Sequence, residues 1–472
     1  MKRKKSNHRY ILLALSLVFL SACKVGKMYE RPEMPLPTQF AKAPATDSSV
    51  ADLQWNHFFT DANLVALIDK ALHDNFDLQV AIRRMEVSKE YVKQAKVSLL
   101  PTLNLQATAA TTIPSKNSLN GLSLENFLGT NHIEDFNFSA GLSWEIDVWG
   151  KIRRQKEATV ADYLQSYEGM KAVQTALVAN IAQGYFNLLM LDAQLNIAQN
   201  NLSLSDTIVH MMRLQKTAGE VTELAVQQAT AQQQTAAVLV PQLKQAIIVQ
   251  EHALNLLVGD MPGTIVRAEN TDIKGTVDNF DAGVPVSLLS RRPDVRASEM
   301  ALMAANARVG VAQAQRYPTL SITAQGGLNA FKASTWFNIP ASLFGTAAGS
   351  LLQPVFQQRR LKTQFEVAKK EREIAVAQFR QSTYNAVREV SDALSGVEQL
   401  NQQQELALAK VDTLNHAIRN AQLLFKSGMA NYLEVIAVQS TSLQAQLDLA
   451  SIKRQQRGSV VELYRSLGGG WK

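Results

Sequence analysis

Residues 135–148 read DFNFSAGLSWEIDV, and this stretch decides the fold. The even positions from Phe136 to Val148 are all apolar, whereas the odd positions from Asp135 to Asp147 are polar or glycine. Side chains of a β-strand alternate between two faces, so the stretch predicts a strand with one apolar and one polar face. It is longer than a typical strand of a soluble protein and matches the apolar-out, polar-in pattern of a membrane barrel strand. The alternative interpretation is a soluble amphipathic hairpin packed on helices.

Other segments alternate in the same way, although less strictly. They are Thr102 to Thr111, the segment with Leu320, Ile322 and Ala324, and a weaker strand near Ser350–Phe356. Two hairpins supply four strands, whereas a membrane barrel needs at least about eight. One chain therefore cannot close a barrel. Two chains would give a filled interior, and three chains would give a twelve-stranded β-barrel with room for a channel.

The two hairpins belong to two copies of one unit, because the chain is internally duplicated. Asn75-Phe76-Asp77-Leu78 aligns with Arg292-Pro293-Asp294-Val295, and the register holds as far as Pro101-Thr102-Leu103 and Pro318-Thr319-Leu320. The predicted organisation is a signal peptide (1–22), an N-terminal segment (23–60), a first repeat (61–258), a turn-rich linker (259–285), a second repeat (286–467) and a C-terminal tail (468–472).

Each copy is also predicted to contain three helical segments. They cover 61–98, 152–215 and 222–258 in the first copy, and 286–316, 359–426 and 431–467 in the second. The middle segments carry periodic apolar stripes, and at 1.5 Å per residue each would reach about 100 Å. A core helix of a soluble bundle is usually much shorter. Pro241 lies inside one of the shorter segments and is expected to kink it.

The N-terminus has the features of a secretory signal with a lipid attachment site. A basic start is followed by an apolar run that is too short to be a comfortable membrane helix. The run ends in Leu20-Ser21-Ala22-Cys23, which resembles a lipobox, and Cys23 is the chain's single cysteine. We expect Cys23 to be the lipid anchor, with an ordinary cleaved signal and a chance cysteine as the alternative. The following Lys24 fits sorting to the outer membrane.

The composition excludes some classes of partner and of chemistry. The formal net charge of +7 is carried mainly by the basic residues of the signal segment, which removes the main argument for a nucleic-acid partner. No Ser/His/Asp arrangement, phosphate-binding loop or metal-ligand spacing occurs, so we expect neither an enzyme nor a cofactor or metal site. Met211-Met212 are better explained by helix packing than by a soft-metal route. Gly468-Gly469-Gly470 are expected to form a flexible end.

A set of short motifs, in order along nearly the whole chain, resembles the outer-membrane efflux protein family, in its lipid-anchored branch of outer-membrane factors for tripartite RND-type pumps. The motifs are Tyr29-Glu30-Arg31-Pro32, Trp55 with Phe58-Phe59, Asp147-Val148-Trp149-Gly150-Lys151, Arg291-Arg292-Pro293-Asp294 with Ala304-Ala305-Asn306-Ala307 and Pro318, Tyr432-Leu433-Glu434-Val435, and Leu467-Gly468-Gly469-Gly470-Trp471.

The resemblance implies an α+β membrane protein that works as a homotrimer. Its twelve-stranded β-barrel, with four strands from each chain, would lie in the outer membrane and continue into a long α-helical barrel across the periplasm. Residues 23–60, 259–285 and the C-terminus would form an equatorial belt around that barrel. The turns at 216–224 and 426–433 would lie at the periplasmic end, where the family closes the pore and meets the adaptor.

The residues of these turns have a local interpretation as well. Gly219 and Gly428 are placed to end helices in a left-handed conformation, and Leu224 and Leu433 begin the returning helices. Three copies of Leu433 would form a hydrophobic periplasmic gate to which Glu434 adds charge, unless Leu433 merely packs between helices. The family often has an aspartate shortly after this leucine, but Ala437 occupies that position here, which weakens the case for an acidic gate.

The expected function is passive conduction. The protein would be the outer-membrane channel of a tripartite efflux pump, carrying drugs or other toxic solutes from an inner-membrane pump and a periplasmic adaptor. The alternative is a lipid-anchored periplasmic coiled-coil adaptor, which would share the long helical hairpins. In a duct the upstream pump selects the solute, so the transported substrate and the class of pump do not follow from this sequence.

Overall fold

The computed structural model describes residues 25–40, 49–267 and 285–471. Contacts between residues divide the chain into two units. The sheet unit contains the described residues up to Pro32 together with Val87–Leu164 and Met300–Ala377. The helical unit contains the described residues of Glu33–Glu86, Gln165–Glu299 and Gln378–Lys472. Cys23, the expected lipid anchor, lies outside the described residues.

The described residues form ten α-helices and four strands. In chain order they are α1 (Trp55–Phe58), α2 (Ala62–Asp74), α3 (Phe76–Val97), β1 (Thr102–Thr112), α4 (Leu119–Leu128), β2 (Ile133–Ile146), α5 (Lys151–Thr217), α6 (Glu223–Leu257), α7 (Leu288–Arg291), α8 (Pro293–Ala314), β3 (Thr319–Ala330), β4 (Leu343–Leu352), α9 (Arg360–Lys426) and α10 (Tyr432–Ser466). Short 3₁₀ turns occur at Val50–Asp52, Pro285–Ser287 and Ala333–Thr335. None of the described helices combines the length and the apolar content needed to cross a membrane.

The long helices confirm the sequence prediction closely. The segments predicted at 152–215 and 359–426 are α5 and α9, and those predicted at 222–258 and 431–467 are α6 and α10. At 67 residues, α5 and α9 would each reach about 100 Å if straight. Pro241 lies inside α6, which continues as a helix on both sides of it.

The first helical segment of each copy is broken, whereas we expected one helix at 61–98 and one at 286–316. The breaks fall at Asn75 and Arg292, which are aligned positions of the duplication. Asn75 has an extended backbone, its Oδ1 accepts from the N–H of Leu78 at 2.8 Å, and its Nδ2 donates to the carbonyl of Leu257 at 2.8 Å. Arg292 precedes Pro293, and a proline disfavours the helical conformation at the residue before it.

The four strands form one antiparallel sheet in the order β1-β2-β3-β4. The strands predicted around 102–111, 135–148 and 320–324 are confirmed with small shifts of their ends. The strand predicted near Ser350–Phe356 is wrong in position, because β4 covers Leu343–Leu352. Its ladder with β3 ends at the pair Thr319 and Leu352, and Pro354 beyond it has no N–H to continue the ladder.

The C-terminal glycines are buried in the helical unit, so the expectation of a flexible end is wrong. A Cβ on Gly468 would lie 2.8 Å from the carbonyl oxygen of Arg291, and one on Gly469 would lie 2.3 Å from the Tyr464 ring. The Tyr464 ring stacks on Phe58 with centroids 4.0 Å apart, and its hydroxyl donates to the carbonyl of Leu53 at 2.8 Å. The glycines are therefore required by close packing rather than by mobility.

Candidate functional site

The sheet has one apolar face across all four strands, and its other face is polar on β1, β2 and β3 but mixed on β4, which places Phe344 and Leu352 there beside Thr346 and Ser350. Residues directly opposite each other in neighbouring strands share a face, and the registers bring apolar residues together from strand to strand. The apolar face contains Leu103, Leu105, Phe136, Phe138, Leu142, Trp144, Ile146, Leu320, Ile322, Leu328, Leu343 and Leu351. The polar face contains Thr102, Asn104, Gln106, Asn137, Ser139, Ser143, Glu145, Ser321, Thr323 and Gln325.

Much of the apolar face is uncovered. Leu105 exposes 72% of its surface and Leu351 exposes 71%, and Leu103 and Leu343 on the same face are exposed as well. Contiguous exposed apolar patches mark surfaces that meet a membrane or a partner. The strand chemistry therefore suits a sheet with a water-filled space on one side and an apolar environment on the other.

Both edges of the sheet are open within the described residues. The outer strands β1 and β4 each pair with one neighbour only. An open edge presents a row of unpaired N–H and C=O groups, which proteins normally cover or pair. The two edge strands run in opposite directions, so β4 of one copy is able to pair antiparallel with β1 of the next.

The turn from β2 into α5 explains the motif from Asp147 to Lys151. The Asp147 carboxylate accepts from the backbone N–H of Ile152 at 2.9 Å and of Arg153 at 3.0 Å, which caps the helix start. Gly150 has a φ of +77°, and the Trp149 indole donates to the carbonyl of Pro318 at 2.7 Å. The motif is therefore a joint between strand and helix.

The corresponding turn from β4 into α9 lacks glycine. Gln358 and Arg359 have φ angles of +49° and +64°, in the left-handed region that side chains with a Cβ disfavour. This strain could not be predicted from the sequence, because a run of polar residues is compatible with many turn conformations.

The long helices α5 and α9 end as predicted, at the turns 216–224 and 426–433. Gly219 has a φ of +81° and Gly428 a φ of +70°. The N–H of Glu220 donates to the carbonyl of Gln215, and that of Met429 donates to the carbonyl of Leu424, both at 2.9 Å. Both turns therefore have the hydrogen bonds of a Schellman motif.

One cluster of apolar side chains in the helical unit brings the two turns together. It is formed by Ile208, Val209, Met212, Ala225, Val226, Ala229, Ala421 and Val435. Val221 and Tyr432, next to the two turns, pack against this cluster, and the Tyr432 hydroxyl is hydrogen-bonded to Gln228. The ends of both helical hairpins thus form one surface.

The residues predicted to act at this end lie on that surface. Leu224 exposes 60% of its surface and Leu433 exposes 47%, and Glu434 is exposed as well. Leu433 is therefore not packed between helices of its own chain. Sequence reasoning missed four further exposed apolar residues near these turns, Leu214, Leu423, Leu424 and Met429. Single leucines at helix ends give no signal until the buried side of each helix is known.

The second-copy motif around Arg292 forms an ion network in which Arg292 is buried and its acidic partners are partly exposed. Arg292 donates to Asp294 at 2.6 Å, to Glu389 at 2.8 Å and to the carbonyl of Ser466 at 3.1 Å, and Arg465 also donates to Glu389 at 2.9 Å. Burial by itself raises the pKa of the Asp294 carboxyl, but the hydrogen bond and charge of Arg292 hold that pKa below its usual value. This network joins α8, α9 and α10.

The described part of the linker, 259–267, is attached to α5 and α6 by several hydrogen bonds, and Arg267 makes the ion pairs with both helices. Arg267 donates through Nη2 to Asp192 at 3.0 Å and through Nη1 to Glu251 at 2.6 Å, and Glu251 also accepts from the N–H of Ile265. Hydrogen bonds to Asp192 and Glu251 raise the pKa of Arg267 against the effect of burial. Among the residues that the structure describes, no group of three or more His, Cys, Asp and Glu side chains is arranged to hold a metal ion.

Comparisons with known proteins agree along nearly the full length. The family model described as "Outer membrane efflux protein" matches residues 67–260 and 284–469. The cation efflux system protein CusC of Escherichia coli K12 is 27% identical over 457 residues, which cover 96% of this chain and 97% of that protein. The solvent efflux pump outer membrane protein SrpC of Pseudomonas putida is 29% identical over 470 residues, 97% of each chain.

Solved structures give the same result. A CusC structure, whose study concerns folding and transmembrane channel formation, has a TM-score of 0.85 at 27% identity and covers 95% of this chain and 100% of that one. The open-state MtrE outer membrane channel of Neisseria gonorrhoeae has a TM-score of 0.85 at 25% identity and covers 95% of this chain and 99% of that one. The family and these relatives are transport proteins. The chain belongs to the outer membrane efflux protein family.

Proposed function

We propose that the protein is the outer-membrane duct of a tripartite efflux pump and conducts drugs or other toxic solutes without changing them chemically. The observation that carries this is the amphipathic four-stranded sheet with an uncovered apolar face and two open edges. Such a sheet suits a wall between lipid and water. Membership of the efflux family favours the duct over a periplasmic adaptor.

The duct is a homotrimer in this proposal. Three sheets would supply twelve strands, and each β4 would pair with β1 of the next copy, so that no edge remains. The sheet unit also has exposed apolar residues on the helices next to the two edge strands, which support the same contact. Val87 and Tyr91 lie on α3 before β1, and Val367 and Ile374 lie on α9 after β4.

The surface formed by the two helix turns is the proposed gate and the contact site of the adaptor. Gly219, Leu224, Gly428 and Leu433 would meet the adaptor, and Leu433 with Glu434 would narrow the closed pore. Exposure of both leucines supports a surface that is completed by other chains. We expect Leu433→Ser to increase single-channel conductance, because the apolar constriction is lost. Leu224→Ser, at the aligned position, is the control, and an equal response of both variants contradicts a gate at Leu433.

Cys23 is the proposed lipid anchor. It would carry acyl chains in the outer membrane, with 23–60 and 259–285 as a belt around the helices and the pump and adaptor as partners on the periplasmic side. Membrane fractionation of the Cys23→Ala variant distinguishes an outer-membrane duct from a periplasmic adaptor. A duct stays in the outer membrane without its acyl chains, whereas a periplasmic adaptor becomes extractable without detergent.

Planar bilayer recording tests conduction directly. Purified full-length protein should give discrete current steps, because a closed ring of sheets leaves a water-filled passage. A preparation of assembled protein that stays silent at all voltages, also with Leu433→Ser, contradicts the duct. Boiled protein of the same preparation is the control for detergent and contaminants.

A further inference from the structure

A cavity of about 300 Å³ lies in the sheet unit, where β3 and β4 meet the starts of α5 and α9. It is lined by Lys151, Gln315, Thr319, Leu352, Pro354, Gln357, Arg360, Leu361 and Gln364. Three amides, one hydroxyl and two cations therefore face one space, together with an apolar wall. The space has room for a small oxyanion group and its water molecules.

The lining of this cavity contains two cations and no acid, but Lys151 is already paired with Glu145, which leaves Arg360 as the cation without a described acidic partner. No acidic residue occurs in the sequence between Glu299 and Glu366, and this stretch carries Arg308, Arg316, Lys332, Arg359, Arg360 and Lys362. The described partner of the Arg360 side chain is a neutral amide, since its Nη2 donates to Gln357 Oε1 at 3.1 Å.

The chemistry of the lining selects the ligand. Guanidinium and ammonium groups with amide N–H donors match the oxygens of phosphate, sulfate or carboxylate, and an arginine pairs with two such oxygens at once. The lining residues include no acid, and the Glu145 carboxylate is compensated by its pairing with Lys151. The helix start at Lys151 contributes little, because Asp147 already caps it.

The position of the cavity connects it with transport. Thr319 pairs with Leu352 at the end of the sheet, and it lies on the same face of β3 as Ser321 and Thr323. That face lines the duct in the proposed function, on which this step of the inference rests.

We infer that this cavity is a binding site for an oxyanion group, held chiefly by Arg360, in the wall of the duct where the sheet meets the helices. Its source is either an anionic solute in the duct or the phosphate of a lipid headgroup. Anions bound at this site would change the conductance of the duct for anionic solutes relative to its conductance for cations.

Thermal unfolding of the full-length protein in detergent tests the site without requiring conduction. The probe is inorganic phosphate, titrated against chloride at equal ionic strength. We expect the unfolding temperature to rise with phosphate, with an apparent dissociation constant about tenfold higher in Arg360→Gln, because the charge-assisted hydrogen bonds of the guanidinium are lost.

Two matched variants make this result specific. Arg360→Lys keeps the charge and should lie between wild type and Arg360→Gln. Lys370→Gln removes one cation from the same helix outside the cavity and should behave as wild type, including the general stabilisation that phosphate gives to any protein. Equal phosphate responses of wild type, Arg360→Gln and Lys370→Gln overturn the site.

Channel recording then separates the two sources. Phosphate from solution should reduce wild-type conductance both in phosphatidylglycerol bilayers and in bilayers of a phosphate-free glycolipid, and Arg360→Gln should relieve the reduction. A headgroup phosphate in the site predicts the effect in the glycolipid bilayer only, because the lipid already fills the site in the other bilayer. Conducting protein whose phosphate response is unaffected by Arg360→Gln contradicts the site but keeps the duct. A phosphate-dependent unfolding temperature without any conductance contradicts the duct but keeps the site.

Discussion

At the scale of single residues, the turn between β4 and α9 stores strain. Gln358 and Arg359 both have positive φ angles, a conformation that costs roughly 1–2 kcal/mol for a residue with a Cβ. The turn of the first copy has Gly150 instead, where this cost is small.

We therefore predict that Gln358→Gly and Arg359→Gly each stabilise the protein by about 1 kcal/mol, because glycine accepts the left-handed conformation. Thermal unfolding of the assembled protein in detergent measures this. Gln357→Gly, whose φ is not positive, is the control and should be neutral or destabilising. If all three substitutions lower the unfolding temperature equally, the turn is not strained.

A second prediction concerns Asp294, whose pKa is held low by Arg292. A carboxyl with a lowered pKa in the folded state contributes stability above its unfolded pKa, near 3.8, and this contribution is lost as the pH falls through the folded pKa. We expect Asp294→Asn to be less stable than wild type at pH 7 and to lose less stability on acidification.

Denaturant unfolding at pH 7 and at about pH 3 checks this, with Glu373→Gln, an exposed ion-pair partner of Lys370, as the control. Identical acid sensitivity of Asp294→Asn and wild type would show that the Arg292 pair contributes nothing to acid stability.

At the scale of elements, the regular spacing of apolar residues was sufficient to predict the long helices and the strands. It was insufficient to predict where the first helical segment of each copy is broken. The heptad-like stripes predicted α5 and α9 within a few residues, since a long regular stripe fixes one face of a helix. The breaks at Asn75 and Arg292 depend on a cap, a proline and the contact of Asn75 with Leu257, which lies far along the chain. Periodicity contains no information on such a contact.

In the candidate site, too, some features could be predicted from the sequence and others depend on contacts between distant residues. Gly219 and Gly428 were predictable because the left-handed end of a helix needs a particular residue type. The cavity around Arg360 was not predictable, since its lining comes from four separate elements and their junctions. The buried C-terminal glycines were misread because a glycine run is compatible with both mobility and very close packing.

The C-terminal tail gives a prediction at this scale. Gly469→Ala should destabilise the helical unit by roughly 1–3 kcal/mol, because the new Cβ overlaps the ring of Tyr464. Gly458→Ala is the matched control, since it lies within α10 and a Cβ there meets nothing within 4 Å, so it should stabilise by about 0.5–1 kcal/mol. Thermal unfolding measures both. Equal effects would mean that the tail does not pack against Tyr464.

At the scale of the whole molecule, we predict that the protein purified from membranes has the mass of three copies. The open edges of the sheet require partners on both sides, and a head-to-tail contact closes into a ring. Native mass spectrometry or light scattering in detergent measures the mass. Ala347→Pro on β4 should lower the trimer fraction, whereas Asn117→Pro, before α4, should not. A stable monomer that still conducts contradicts the ring.

The open sheet also has a consequence for how the protein is made. A newly exported chain exposes apolar strand faces and unpaired edges before it meets two others, and these are the features that drive aggregation. Since assembly depends on encounters between chains, slow supply prolongs the exposed stage, whereas rapid supply also raises the rate of wrong encounters. The yield of functional protein should therefore pass through a maximum as expression increases, and a holding chaperone should widen that maximum.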